Sequence, residues 1–321
     1  VKASFGVAVI GDVFVDILAC VSDDLSNRGA NLNCVDPICP HPGGSALNTA
    51  SHLASLSRND QWNLSLYGAT GADFWEDFIK NHCNKCGLDF RNTVVPDTAT
   101  AVCIAVSNST VQSFISHKGA TSKFSPSDLD IEELSQFNHI HLGGIKSTLA
   151  LQNFLPGVVD ELKKRNNNLT FSLNINSGFR GDWCHQLIER MDVFVQNREE
   201  ALSISGKETV REALIWLASR VKKLAIVTLG HEGLMAVDVL SKCMYKIGAV
   251  HIHAADTTGC GDAFIAAFLK YWLSEYDLNR VFVNASKAAA FIALKVGACT
   301  ELLSDTDYFP NVQLHVDVDQ I

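Results

Sequence analysis

An α/β fold, with a doubly wound, mainly parallel central sheet flanked by helices and a small β-sheet lid, is what this sequence predicts. Three observations carry the prediction. Strand-like and helix-like stretches alternate from one end of the chain to the other, the order that builds strand–helix–strand units. Candidates such as Leu224–Thr228 are apolar throughout, as strands covered on both faces are. Most of these strands also run into glycine and polar residues, at the end where such sheets bind ligands. No repeat, low-complexity tract or linker interrupts the chain, so residues 1–321 read as one domain, its lid drawn from about 13–42 and about 97–118.

In chain order, residues 5–10 form an apolar strand ending at Gly11-Asp12, and 13–17 continue with alternating character, leaving Asp12 and Asp16 near a strand end. Residues 22–42 are polar, carry three prolines and lack a helical period, which fits part of the lid. Gly43 and Gly44 let the backbone approach a ligand before a helix over 46–57, from which Asn48 projects an amide that both donates and accepts. A strand over 64–73 runs into a glycine turn, and 74–86 is an amphipathic helix. Two strands, 100–106 and 111–117, joined by the turn 107–110, complete the lid. Residues 137–144 form a strand ending at Gly143-Gly144, 149–164 a helix and 169–175 the next strand. The strand at 193–195 leads into Asn197 and Glu200, which are three apart and so share a helical face. Leu224–Thr228 leads into the turn from Leu229 to Gly233. An alanine-rich helix over 284–296 ends at Gly297 as a C-cap, and the tail after Ser304 reads as peripheral.

The chemistry concentrates in Asp256-Thr257-Thr258-Gly259-Cys260-Gly261-Asp262, just before the apolar run 263–268. Gly259 and Gly261 free the backbone so that N–H groups can converge on an anion, and a helix start there adds to the attraction. Asp262, in the first turn, is placed to accept the proton of an attacking hydroxyl while the amides of Gly259, Cys260 and Gly261 hold developing oxyanion charge. That arrangement suits phosphoryl transfer. The competing reading is a glycine turn with Asp as a helix cap. For Asn197 and Glu200 it is likewise an Asn-capped helix, and for the turn from Thr228 to Gly233 a tight hairpin.

Composition excludes other classes. At 47% hydrophobic, 19% charged and net charge −9, the chain is an ordinary globular protein without the basic clustering that nucleic acid or an acidic membrane requires. Its apolar runs stop short of a bilayer span, and residues 1–3 lack the layout of a signal peptide. Ten cysteines scattered through apolar segments point to a reducing, cytoplasmic setting. Cys83-Asn84-Lys85-Cys86 is a lone pair where a zinc site wants two, and His251 and His253, at strand spacing, read as structural. A catalytic-cysteine hydrolase is disfavoured because Cys260 has no recognisable His partner; its thiol is either activated by the helix start or inert if it points inward.

The loop around Gly259 resembles the D-T-x-G-x-G-D motif of the ribokinase, or PfkB, family of carbohydrate kinases, with Cys260 where the family has a small residue. The stretch from Gly43 to Asn48 is similar to its G-G-x-x-x-N motif. Weaker likenesses lie between: Gly68, Gly71 and Asp73 to a G-x-x-G-x-D element; Asn174, Asn176, Arg180 and Trp183 to D-x-N-x-R-x-x-x-W, with Asn for the leading Asp; Asn197 and Glu200 to N-x-x-E; and Thr228, Gly230 and Gly233 to T-x-G-x-x-G. Gly143 stands where some ribokinases carry a Glu, a departure that bears on ribose as the acceptor. The resemblance implies a ribokinase-like fold and an ATP-dependent kinase acting on a hydroxyl of a sugar or sugar-like substrate, with Asp262 as base. It further implies acceptor binding by Asp12, Asp16, Gly43, Gly44 and Asn48, ATP binding by Asn197, Thr228, Gly230, Gly233, Gly259 and Gly261, and Mg²⁺ held through water by Glu200. A K⁺ ion at Asp256, Thr258 and carbonyls of 292–297, and a monomer or a homodimer through the lid, belong to the same expectation. A nucleoside kinase is the alternative acceptor class, and a non-catalytic sensor the alternative outside enzymes.

Overall fold

A computed structural model describes residues 5–21, 33–35, 37–60, 62–107, 112–176, 182–306 and 308–321. Its strands are β1 (Phe5–Gly11), β2 (Phe14–Cys20), β3 (Cys39–Gly43), β4 (Trp62–Gly71), β5 (Asp89–Val95), β6 (Val102–Ser107), β7 (Gln112–His117), β8 (His139–Gly143), β9 (Thr170–Asn174), β10 (Val193–Asn197), β11 (Leu224–Thr228), β12 (Leu234–Asp238), β13 (Cys243–Ile247) and β14 (Val316–Gln320). Among the described residues the helices are α1 (Ser45–Leu56), α2 (Phe74–Cys86), α3 (Ile131–Leu134), α4 (Leu155–Arg165), α5 (Asp182–Ile188), α6 (Arg198–Ser205), α7 (Val210–Ala218), α8 (Cys260–Leu273) and α9 (Leu278–Ala293).

Ten strands form one sheet in the order β14-β13-β12-β11-β10-β9-β8-β1-β4-β5, parallel from β11 to β5 and antiparallel beyond β11. Alternate residues of one strand enter different cores. Val7 and Val9 pack with α1, α2, α8 and α9, whereas Ala8 and Ile10 pack with α4, α5 and α7 on the opposite face. This is why β1 and β11 are apolar almost throughout. The chain winds outward from β1 to β4 and β5, then returns to β8 on β1's other side, so the strand order reverses between β1 and β8. A crevice opens at such a point, at the carboxyl ends of the strands. Above it stands a separate sheet, β3-β2-β6-β7.

Several element boundaries differ from the sequence expectation. The helix expected over 149–164 starts only at Leu155, because Pro156 sits in its first turn, where a missing N–H costs nothing. The helix expected over 284–296 starts at Leu278, capped by Asp277, and ends at Ala293, so Gly297 is not its cap. The tail is not peripheral: β14 pairs with β13 and forms an edge of the main sheet. His251 and His253 lie in an exposed irregular segment, not a strand. Residues 22–32, residues 108–110 of the expected turn with 111 of the strand after it, and Arg180 fall outside the described residues.

Candidate active site

The carboxyl end of β1 carries Asp12, that of β3 carries Gly43, and α1 begins immediately beyond Gly44, whose φ of 96° is open to glycine. Asp12 is buried and accepts the Ala46 N–H at 2.9 Å. Burial is the main reason its carboxyl is held well above the usual range; the Ala46 bond opposes this, and the charges of Asp262 and Asp16 add to it. On β2, Asp16 lies where a Cβ at Gly43 would stand, 2.2 Å from the carboxyl carbon, so glycine there makes room for it. Burial, reinforced by Asp262, raises Asp16 to about 7.

Asp262 reaches the same place from the other end of the sequence. Gly259 takes φ 77° as the N-cap of α8, and a Cβ on it would meet Ala298 at 2.4 Å, so this turn admits only glycine. Ser45 Oγ donates to Asp262 Oδ1 at 2.5 Å and Asn48 Nδ2 to Oδ2 at 2.9 Å, across 217 and 214 residues of chain. The structure thus turns Asn48 towards Asp262 rather than leaving it unengaged for the acceptor, and adds Ser45, which the sequence reading left without a role. Below them, the Cys299 thiol donates to Asn48 Oδ1 at 3.2 Å. His52 Nδ1 accepts the Leu303 N–H at 3.3 Å, which leaves Nε2 to donate to the Ala298 carbonyl at 2.9 Å. Loss of hydration is the largest influence on Asp262 and holds it up at about 6, with the Ser45 and Asn48 bonds pulling down and the charge of Glu200 pushing up. A carboxylate so placed is ionised at neutral pH yet basic enough to take a proton.

The rest of the loop is fixed internally. Asp256 Oδ1 accepts the N–H and hydroxyl of Thr258 at 2.8 and 2.6 Å, and Oδ2 accepts the Gly297 N–H at 2.9 Å. Both carboxylate oxygens of Asp256 therefore already bind the protein, which leaves backbone carbonyls as the groups open to a cation there. Burial first, and then Asp256 and Asp262, push the Cys260 thiol up to about 12, which favours the inert reading. Gly261 has no atom within 4 Å of where a Cβ would stand, so the fold does not require glycine there. The space over the start of α8 is left open to a ligand.

Asn197 and Thr228 are register partners at the ends of β10 and β11. Asn197 caps α6 in a reciprocal box: its Oδ1 accepts the Glu200 N–H at 2.9 Å, and Glu200 Oε2 accepts the Asn197 N–H at 3.0 Å. Burial raises Glu200 above the ordinary carboxylate range. Gly230 has open space around it, whereas Gly233 is demanded by the hairpin, since a Cβ there would lie 1.9 Å from the Ile247 carbonyl. Asn174 donates to the Val195 carbonyl at 2.9 Å, a bond an ionised Asp could not make. Asp73 accepts the N–H and hydroxyl of Thr100 at 2.7 and 2.8 Å, tying α2 to the foot of the lid. Among the described residues no group of three or more His, Cys, Asp or Glu side chains is placed to hold a metal, no helix is long and apolar enough to cross a membrane, and all ten cysteines are free.

Comparison with known proteins identifies the family and the fold. The pfkB family carbohydrate kinase profile matches residues 5–305. A ribokinase of Lactococcus lactis is 28% identical over 288 residues, covering 87% of this chain and 89% of the relative. Among solved structures, adenosine kinase from Sinorhizobium meliloti superposes with a TM-score of 0.80 at 23% identity, covering 92% of this chain and 96% of its own. A putative ribokinase II from E. coli in complex with ATP and Mg²⁺ does so with a TM-score of 0.79 at 21% identity, covering 94% and 96%.

Proposed function

The chain belongs to the pfkB family of carbohydrate kinases, and from that premise we propose that it transfers the γ-phosphoryl group of ATP to a hydroxyl of a sugar or sugar-like acceptor. The observation that carries the reading is the meeting of Asp262 with Asp12 and Asp16 at the start of α8, its two oxygens aimed by Ser45 and Asn48. Asp12 and Asp16 bind acceptor hydroxyls beside Gly43 and Gly44, and Asp262 takes the proton of the attacking one. The amides of Gly259, Cys260 and Gly261 stabilise charge on the phosphoryl oxygens. Positioning and electrostatics carry most of the acceleration in a loose phosphoryl transition state, which suits a site rich in amides and poor in nucleophiles.

ATP lies along the ends of β10 and β11, against Asn197, Thr228, Gly230 and the open side of Gly261. Mg²⁺ fits this donor set only as an ion brought by the phosphates and held through water near Glu200, since magnesium keeps several waters and no protein cage exists among the described residues. Its chemistry would be to offset phosphate charge. The small sheet acts as a lid, keeping water from the γ-phosphate. K⁺ belongs near Asp256, Thr258 and the carbonyls of 292–297, a homodimer would join through the outer lid face where Ile104 and Ile115 are exposed, and ten free thiols suit the cytoplasm. A silent sensor is disfavoured by the preset base.

The test is ADP release from MgATP with and without sugar-hydroxyl acceptors, run in K⁺ and in tetramethylammonium salts, with sedimentation reporting assembly. Release that depends on an added acceptor is expected. Release indifferent to every acceptor would sink the reading, and equal rates in the two salts would remove K⁺ from it.

A further inference from the structure

The two ends of a side-chain amide have nearly the same shape and differ in what they exchange, so the neighbours decide which way it turns. Asn48 is 4% exposed, and its ends face different partners. Nδ2 lies 2.9 Å from Asp262 Oδ2, and Oδ1 lies 3.2 Å from Cys299 Sγ. Turned over, the amide would set its oxygen against the Asp262 carboxylate with no hydrogen between them.

A chain of donors opposes that turn. The Leu303 N–H can only donate, so His52 Nδ1, 3.3 Å away, has to accept. Burial holds the pKa of this ring down to about 4, the charge of His82 adding to the effect and the Ala298 bond opposing it. The ring is therefore neutral and carries its one proton on Nε2. That proton goes to the Ala298 carbonyl at 2.9 Å, and Nε2 has no lone pair for the Cys299 S–H, whose sulfur lies 3.8 Å off. Burial, with the charge of Asp262 after it, raises the thiol well above its ordinary value, so it stays protonated. Its hydrogen is left for Asn48, where Oδ1 at 3.2 Å is nearer than the backbone carbonyl at 3.9 Å. With Oδ1 engaged, Nδ2 faces Asp262. Every bond runs one way, from a backbone N–H at residue 303 to the carboxylate at 262.

We infer that Cys299 is a positioning residue for the proposed base: its S–H locks the Asn48 amide with Nδ2 towards Asp262, and His52 holds the lock by refusing that hydrogen. The effect on rate rests on the kinase reading above, whereas the lock belongs to the protein without ligands. The experiment compares Cys299→Ser, which keeps a donor, with Cys299→Val, which fills the space without one, each alone and combined with Asn48→Ala. It reads kcat, the KM for MgATP, and exchange of the Asn48 side-chain amide protons by ¹⁵N NMR in the absence of ligands. Cys299→Val should lower kcat about tenfold, hold the KM within about twofold and speed the amide exchange by about tenfold or more. Cys299→Ser should keep all three near the wild type. In the Asn48→Ala background, Cys299→Val should change kcat by less than about twofold. Cys299→Ala, which is smaller, reads the same quantities if the valine variant does not fold. Wild-type kcat or wild-type amide exchange in the variant without a donor overturns the inference. So does an equal loss in Cys299→Ser, or the same loss with and without Asn48, since packing alone would then account for the thiol. A wild type with no acceptor-dependent turnover counts against the kinase reading, and the amide exchange then decides the lock by itself.

Discussion

The two ends of the cleft are built by different means. At the proposed acceptor end, Asp262 is held by Ser45 and Asn48 from more than two hundred residues away, and burial raises Asp12, Asp16 and Asp262, the charge of Asp262 adding to the first two and that of Glu200 to Asp262. At the proposed nucleotide end, Asn197 and Glu200 satisfy each other three residues apart, and Thr228 and Gly230 belong to a hairpin turn. The first end is a long-range assembly that stores electrostatic cost, and the second is a set of local caps and turns. Groups whose fold satisfies them locally need a ligand to acquire a role, whereas the acceptor end is poised before any ligand arrives.

The sharpest way to break that contrast is to remove the proposed base. Asp262→Ala should lower kcat by a factor of about 10³ or more, while ATP affinity, which the proposal assigns to the other end, changes by less than about threefold. Steady-state kinetics with nucleotide binding by calorimetry checks it. Near-normal turnover would mean that Asp262 is a helix cap and no more.

The contrast also explains what the sequence could and could not disclose. The parallel sheet was legible because its strands are buried on both faces, and the loop from Asp256 to Asp262 because glycine, carboxylate and helix start coincide within seven residues. Ser45 was not legible: its meaning is a bond to residue 262, and nothing at 45 in the sequence announces it. Asp73 read as part of a motif, but its work, gripping Thr100 at the foot of the lid, is again a contact between segments. β14 was missed because an edge strand is half exposed and its polar alternation resembles a tail. The site residues most easily read were those whose partners lie within a few positions, and these are the ones for which capping and catalysis look alike.

Ser45→Ala sharpens the comparison with a smaller effect. The hydroxyl bond favours the charged form of Asp262, so losing it raises a carboxyl already near 6 and moves the acid limb of the pH profile upward. Asp12, Asp16, Glu200, Cys260 and Cys299 face the same carboxylate, so no cation compensates within this group. Activity at pH 7 should fall about tenfold and recover in large part by pH 8.5. A loss that is the same at both pH values would show that Ser45 positions Asp262 without tuning it.

The smallest effect concerns stability, and it separates stored cost from mere proximity. Asp16 in the folded chain binds its proton up to about 7, whereas an unfolded chain releases it in the ordinary carboxylate range. The folded state therefore gains from this group at acid pH, and that contribution is lost as the pH rises from about 4 through 7. Asn at this position has no proton to lose. In the apo protein, Asp16→Asn should melt close to the wild type near pH 4 and progressively above it towards pH 7, the gap then staying level. Asp16 keeps an exposed edge, so solvent screens part of the cost and the gap should be on the order of a few degrees. Glu200→Gln at the nucleotide end should open a smaller one, because its carboxylate keeps the Asn197 N–H bond as partial compensation. If the Asp16 gap does not grow with pH, the three carboxylates lie near one another without paying for it, and the acceptor end is no more poised than the nucleotide end.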